Sequence, residues 1–173
     1  LVFTVETDRR SFTGLVGVRD ARTLRKLDEW PTHGVDPHQL LLDGEGHLIV
    51  ANGGLWRTLE GQKRDLDRMD PSLVKLDGRD GALRAQWRLP DPRLSIRHLA
   101  WAPGGAGAPT MGVALQAEHD DPAARAAAPL LALYDGQSLR ALPRQPDAAA
   151  AGYAGDIAAP AGSEFVVSAQ RAG

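Results

Sequence analysis

Two histidines and an aspartate recur at nearly equal intervals along these 173 residues, and chemistry would be built from them first. His38 opens the run P-H-Q-L-L-L, His98 opens R-H-L-A-W, and Asp156 opens G-D-I-A-A. The three are separated by 60 and 58 residues. Asn52, Gln116 and Gln170 close the apolar run that follows each of them. Imidazole and carboxylate together suit first-row transition metals, iron among them, whereas a funnel of mixed polar groups suits a small ligand or a protein partner. The candidate ligand contacts are therefore His38, Asn52, Arg97, His98, Gln116 and Asp156. The candidate metal donors are His38, His98, Glu118 and His119. No H-E-x-x-H spacing supports a metal locally, so that expectation rests on convergence of distant segments. The plainer alternative is that polar residues at strand starts bond neighbouring loop backbones and hold the scaffold together.

Convergence requires elements that repeat. The segment P-H-Q-L-L-L-D-G-E-G-H-L-I-V-A-N reads as two short strands around an Asp-Gly turn, and it returns from Arg97 and again from Gly155. A second module alternates with it: L-V-G-V-R-D-A-R-T-L-R-K-L-D-E-W, L-V-K-L-D-G-R-D-G-A-L-R-A-Q-W-R-L and L-L-A-L-Y-D-G-Q-S-L-R-A-L-P-R. Its turn aspartates, Asp20, Asp77 and Asp135, lie 57 and 58 residues apart. They read as self-capping turn residues without a further role.

The unit is four short strands, A to D, in the order BCD-ABCD-ABCD-AB, which is the pattern of an all-β propeller. Approximate blades are 1–32, 33–90, 91–147 and 148–173 of one partial propeller domain. A little over three blades do not close a ring, so the chain is expected to be part of a larger one. Its first and last strands would be open edges able to associate. With strand A innermost, the D–A and B–C loops share one end, where Glu6 and the residues above would meet; His47, in an A–B turn, falls at the other. Excess length sits at Leu55–Ser72, and the Ala-rich D-P-A-A-R-A-A-A-P reads as a connection.

Composition narrows the classes. The chain is 43% hydrophobic and 24% charged with net charge −2, which gives no reason to expect nucleic acid or an anionic membrane surface. No apolar run is long enough for membrane insertion. Cysteine is absent, which excludes disulfides and thiolate sites. No phosphate loop, dinucleotide fingerprint or G-x-S-x-G elbow occurs, so an enzyme is not the leading expectation.

The segments T-H-G-V-D-P-H-Q-L-L-L-D-G-E-G-H-L-I-V-A-N-G-G, R-D-L-D-R-M-D-P-S-L-V-K-L-D and L-S-I-R-H-L-A-W-A-P resemble the bacterial family called domain of unknown function 1513. Its motif positions here are His33, Pro37, His38, Asn52, Gly53, Gly54, Asp67, Met69, Pro71, Ser72, Arg97 and His98. Asp36 stands where that family has a small Gly, and Gln39 where it has an acidic residue. The resemblance implies a WD40-like seven-bladed propeller, twin-arginine export, a periplasmic location and a neighbourhood of iron-uptake genes. On that basis the expectation is a binding module of a metal-uptake system, with a protein partner or small ligand at the propeller mouth. The alternatives are a metal-dependent propeller hydrolase of lactonase type and a purely structural scaffold.

Overall fold

The computed structural model describes residues 1–103, 110–144, 151–162 and 164–169. The chain is all-β, built of small antiparallel sheets, and divides into two compact units, Leu1–Gln86 and Trp87–Gly173.

In the first unit, β1 (Val2–Thr7), β2 (Thr13–Arg19) and β3 (Lys26–Val35) form a three-stranded meander. A four-stranded meander follows: β4 (Pro37–Leu42) and β5 (His47–Asn52), then β8 (Ser72–Asp77) and β9 (Leu83–Trp87). Between β5 and β8 lie β6 (Trp56–Arg57) and β7 (Lys63–Arg64), a hairpin of two-residue strands, and a 3₁₀ turn at Leu66–Arg68. Strand alternation sends Val5, Val16 and Trp30, which are register partners, to one face in a row. Leu40, Val50 and Val74 form a second such row, and Phe3, Val18, Leu48 and Leu76 complete the cluster. Full burial of each such side chain stabilises by about 1.5–3 kcal/mol.

The opposite face of β1–β2–β3 is polar. The Glu6 carboxylate accepts from Thr4 Oγ1 at 2.7 Å, Arg19 Nη2 at 2.7 Å and Lys26 Nζ at 2.6 Å. Hydrogen bonding to the Lys26 ammonium, against an opposing push from burial and with help from Thr4 and Arg19, holds the Glu6 carboxyl at about 2. It lies over Gly17, where a Cβ would stand 2.2 Å from Oε1. Glu6 thus serves this face, although its place at the end of strand B put it at the mouth in the sequence reading.

In the second unit, β10 (Leu94–Trp101), β11 (Met111–Ala117), β12 (Leu131–Tyr134) and β13 (Leu139–Ala141) form a four-stranded meander. β14 (Asp156–Ala158) pairs with β15 (Val166–Ser168). Ala114, Ala154 and Ile157 are buried against Leu131, Phe165 and Val167. A short helix, α1 (Pro122–Ala127), lies in the β11–β12 connection that the sequence left without structure. Asp121 caps it by accepting from the Ala123 and Ala124 amides, with proline in the first turn where no amide hydrogen is needed.

The principal sheets therefore run BCD, ABCD, ABCD and AB, as the repeat implies, with β6–β7 added. The three turn aspartates behave alike: Asp20 accepts from the Thr23 amide, Asp77 from the Arg79 amide and Asp135 from the Ser138 amide. Asp77 also receives the Arg79 and Arg84 guanidiniums, which hold its carboxyl far below the usual range.

Candidate functional site

His38 and His98 share a local device. Pairing of β4 with β5 runs Pro37↔Asn52 and then Gln39↔Ala51, so His38 is the extra residue of a bulge. Pairing of β10 with β11 runs Ile96↔Leu115 and then Leu99↔Val113, which leaves Arg97 and His98 opposite one residue. Bulges re-aim side chains and occur preferentially beside functional sites. Both imidazoles stay partly open, 28% and 34% exposed.

Their partners differ. In the first unit, His38 Nε2 lies 3.4 Å from Asp36 Oδ2, and Asp36 Oδ1 accepts from Arg57 Nε at 3.0 Å. Asp36 takes the left-handed conformation at φ 54°, which a side chain tolerates poorly and glycine adopts freely. A glycine at this position relieves that strain, although aspartate is among the side chains that adopt this region most readily. In the second unit, His98 Nδ1 lies 3.8 Å from Asp156 Oδ1. Asp156 opens β14 as His98 lies near the start of strand A in its own sheet, so two equivalent positions face each other.

Asn52 was expected among the ligand contacts, but it is wholly buried and has no surface to offer a ligand. Its Nδ2 donates to the Thr32 carbonyl at 3.0 Å and to Ser72 Oγ at 3.3 Å. The following amides continue the fastening: Gly53 N–H bonds Asp36 O, Gly54 N–H bonds Val35 O, and Asp70 N–H bonds Gly54 O. Gly54 sits at φ 74°, and a Cβ there would stand 2.2 Å from Pro71 N. The A-N-G-G and D-P-S-L segments are thus one interlocked corner joining the D–A and B–C loops.

The second unit closes its corner otherwise. Arg97 and Glu118 are both nearly buried, with Nη2 3.7 Å from Oε1. Gln116 is also nearly buried and forms a backbone bridge with Tyr153, flanked by Ala117 N–H to Gly152 O at 2.7 Å. His119 Nε2 lies 3.0 Å from Asp91 Oδ2, and its carbonyl accepts from Arg125 Nε and Nη2. Arg93 pairs with Asp120. Of the four candidate metal donors, His38 belongs to the first unit and the other three to the second. Glu118 faces a guanidinium and His119 a second carboxylate, while His98 faces Asp156, whose Oδ1 also accepts from the Ile157 amide at 2.8 Å. Gln170 and Arg171 lie outside the described residues.

One cluster escaped the sequence reading. In the Asp43–His47 turn, ligand atoms of Asp43, Glu45 and His47 lie within 4.8 Å of one another. The D-x-E-x-H alternation across a tight turn is the signal that could have found it. Lys75 Nζ is already there, 2.9 Å from Asp43 Oδ2 and 3.5 Å from Glu45 Oε2. Burial pushes Asp43 up, but the Lys75 ammonium and the His47 and Glu45 amides outweigh it and hold it at about 2. The internal cation makes this a structural ion pair.

The whole chain, residues 1–173, matches the family model described as a protein of unknown function, DUF1513. The chain belongs to this family. Asn52, Gly53, Gly54, Pro71 and Ser72, which carried the resemblance in the sequence, are residues of the corner just described. No curated protein matches the chain. Among solved structures it is similar to a luciferin-regenerating enzyme, with 21% identity and a TM-score of 0.39. That likeness covers 69% of this chain and 35% of the enzyme's, so the chain spans about a third of that protein's length. Among the described residues no helix is long and apolar enough to cross a membrane.

Proposed function

We propose that this chain is a binding module of a β-propeller that takes its ligand at the end carrying the D–A and B–C loops. A first-row transition metal is the leading candidate, within a periplasmic metal-acquisition role. The observation that carries the reading is the approach of His98 Nδ1 to Asp156 Oδ1 at 3.8 Å. Two ligands on a four-coordinate ion with bonds of roughly 2.1 Å stand about 3.4 Å apart, close to this separation. A direct hydrogen bond would be shorter than 3.2 Å or so, and a gap of this size accepts a bridging species. The donor set that fits is His98 with Asp156, and the remaining positions on the ion would be left to water or to a partner's ligands. The periplasmic and metal-uptake setting is part of this proposal and rests on the motif resemblance in the sequence alone.

The test is calorimetric titration of the protein with Zn²⁺, Cu²⁺ and Fe³⁺ beside His98→Ala and Asp156→Asn. Stoichiometric binding that each substitution weakens at least about tenfold, with melting unchanged, supports the metal reading. Absence of binding by every ion, or binding that survives both substitutions, overturns it.

A further inference from the structure

A cavity of about 180 Å³ opens in the first unit between the β1–β2 turn, the pre-proline Asp36 and the β6–β7 hairpin. It has room for about six waters at roughly 30 Å³ each, which is the size of a small ring with one substituent. Phe12 supplies the accessible apolar wall above the buried Leu55, and Asp36, Arg57 and Thr58 supply polar wall. Two of these residues are held in conformations that side chains rarely adopt: Phe12 at φ 61° and Asp36 at φ 54°. The hairpin loop accounts for Phe12, since its amide bonds Asp8 O just as that of Leu24, at φ 57°, bonds Asp20 O in the next loop; the conformation holds the Phe12 ring at the cavity edge. Arg64 lies over the Phe12 ring, its guanidinium carbon 5.8 Å from the centroid.

The charges choose the ligand class. Arg57 gives Nε to Asp36 Oδ1 at 3.0 Å and Nη1 to the Gly61 carbonyl at 3.1 Å. Among the described residues its Nη2 has no protein acceptor. A ligand acceptor on Nη2 would sit beside the Asp36 carboxylate, which repels an anion, while Arg57 itself repels a cation. We propose that this cavity binds a small uncharged molecule, a flat apolar ring bearing a carbonyl or amide oxygen. The ring lies on Phe12, and the oxygen accepts from Arg57 Nη2. The site uses residues of the first unit alone and does not depend on the metal reading.

Ligand-detected NMR with benzamide, benzoate and benzamidine separates the classes, because the three share a ring and differ in charge. Benzamide is expected to bind and the two ions to bind at least about tenfold more weakly. Phe12→Gly removes the ring while relieving its backbone strain, so the variant should melt no lower than the parent and lose the benzamide signal. Arg57→Lys, checked for folding in the same way, should weaken benzamide at least about tenfold. No benzamide signal from the parent protein, a stronger signal from either ion, or a signal that Phe12→Gly leaves intact would overturn the proposal.

Discussion

The two units solve one problem in different materials. Each must fasten the loops that flank a bulged strand carrying a half-buried histidine. The first does so mainly with neutral groups, an amide on a backbone carbonyl, two glycine amides on neighbouring loops and a close backbone approach, beside the half-buried Asp36–Arg57 ion pair. The second uses a nearly buried guanidinium–carboxylate pair and a backbone bridge. A neutral corner fails through geometry, and an ionic corner fails through desolvation. The histidines follow suit, since His38 leans on a carboxylate two residues before it, whereas His98 meets the equivalent residue of the next sheet.

The largest effect expected from breaking this comparison is at Glu118. Glu118→Ala removes the carboxylate 3.7 Å from the nearly buried Arg97 guanidinium, and loss of one partner of such a pair should cost up to about 3–5 kcal/mol in denaturant unfolding. A loss below about 1 kcal/mol would show that the Glu118 carboxylate is not what holds this corner. Next is Gly54→Ala, which forces a side chain into the left-handed region and against Pro71. Strain and overpacking together predict a loss of about 2–4 kcal/mol. Asn52→Ala and Gln116→Ala form a sharper pair. The first removes two buried hydrogen bonds and should cost about 1–3 kcal/mol. The second spares a bridge made by backbone atoms and should cost about 1 kcal/mol or less. Equal losses would dissolve the distinction between the corners.

The smallest effect is on acid stability. Glu6 is held at about 2 against an ordinary value of 4.5. Its folded value is depressed, so its contribution is complete above the ordinary value and disappears as pH falls through about 2. Glu6→Gln should therefore flatten the stability profile between those limits and leave it unchanged in shape above them. A variant profile parallel to the parent's throughout acid titration would contradict the assignment.

The strand plan was legible because two independent features, the His/Asp strand starts and the turn aspartates, repeat with one period. The β6–β7 hairpin was not, since Trp56–Arg57 and Lys63–Arg64 are too short to show alternation. The bulges at His38 and His98 were hidden for another reason: a bulge is a property of register between two strands, and neither strand alone displays it. Asn52 misled because a polar residue closing a strand usually faces solvent. The glycines after it were the available hint that the chain turns back sharply there and covers the side chain. The Asp43–Glu45–His47 cluster was not legible because acidic residues of a tight turn ordinarily face solvent, and only strand pairing brings Lys75 to them.

The carboxylate lying over Gly17 gives position 17 an influence beyond its size. A methyl group there would occupy the place of Glu6 Oε1 and evict it, turning a change of one carbon into a change of charge placement at Arg19 and Lys26. Positions 6, 17, 19 and 26 should consequently drift as a set during evolution. Relatives that carry a side chain at 17 should be those whose residue at 6 is short or uncharged, and whose residues at 19 and 26 are no longer both basic.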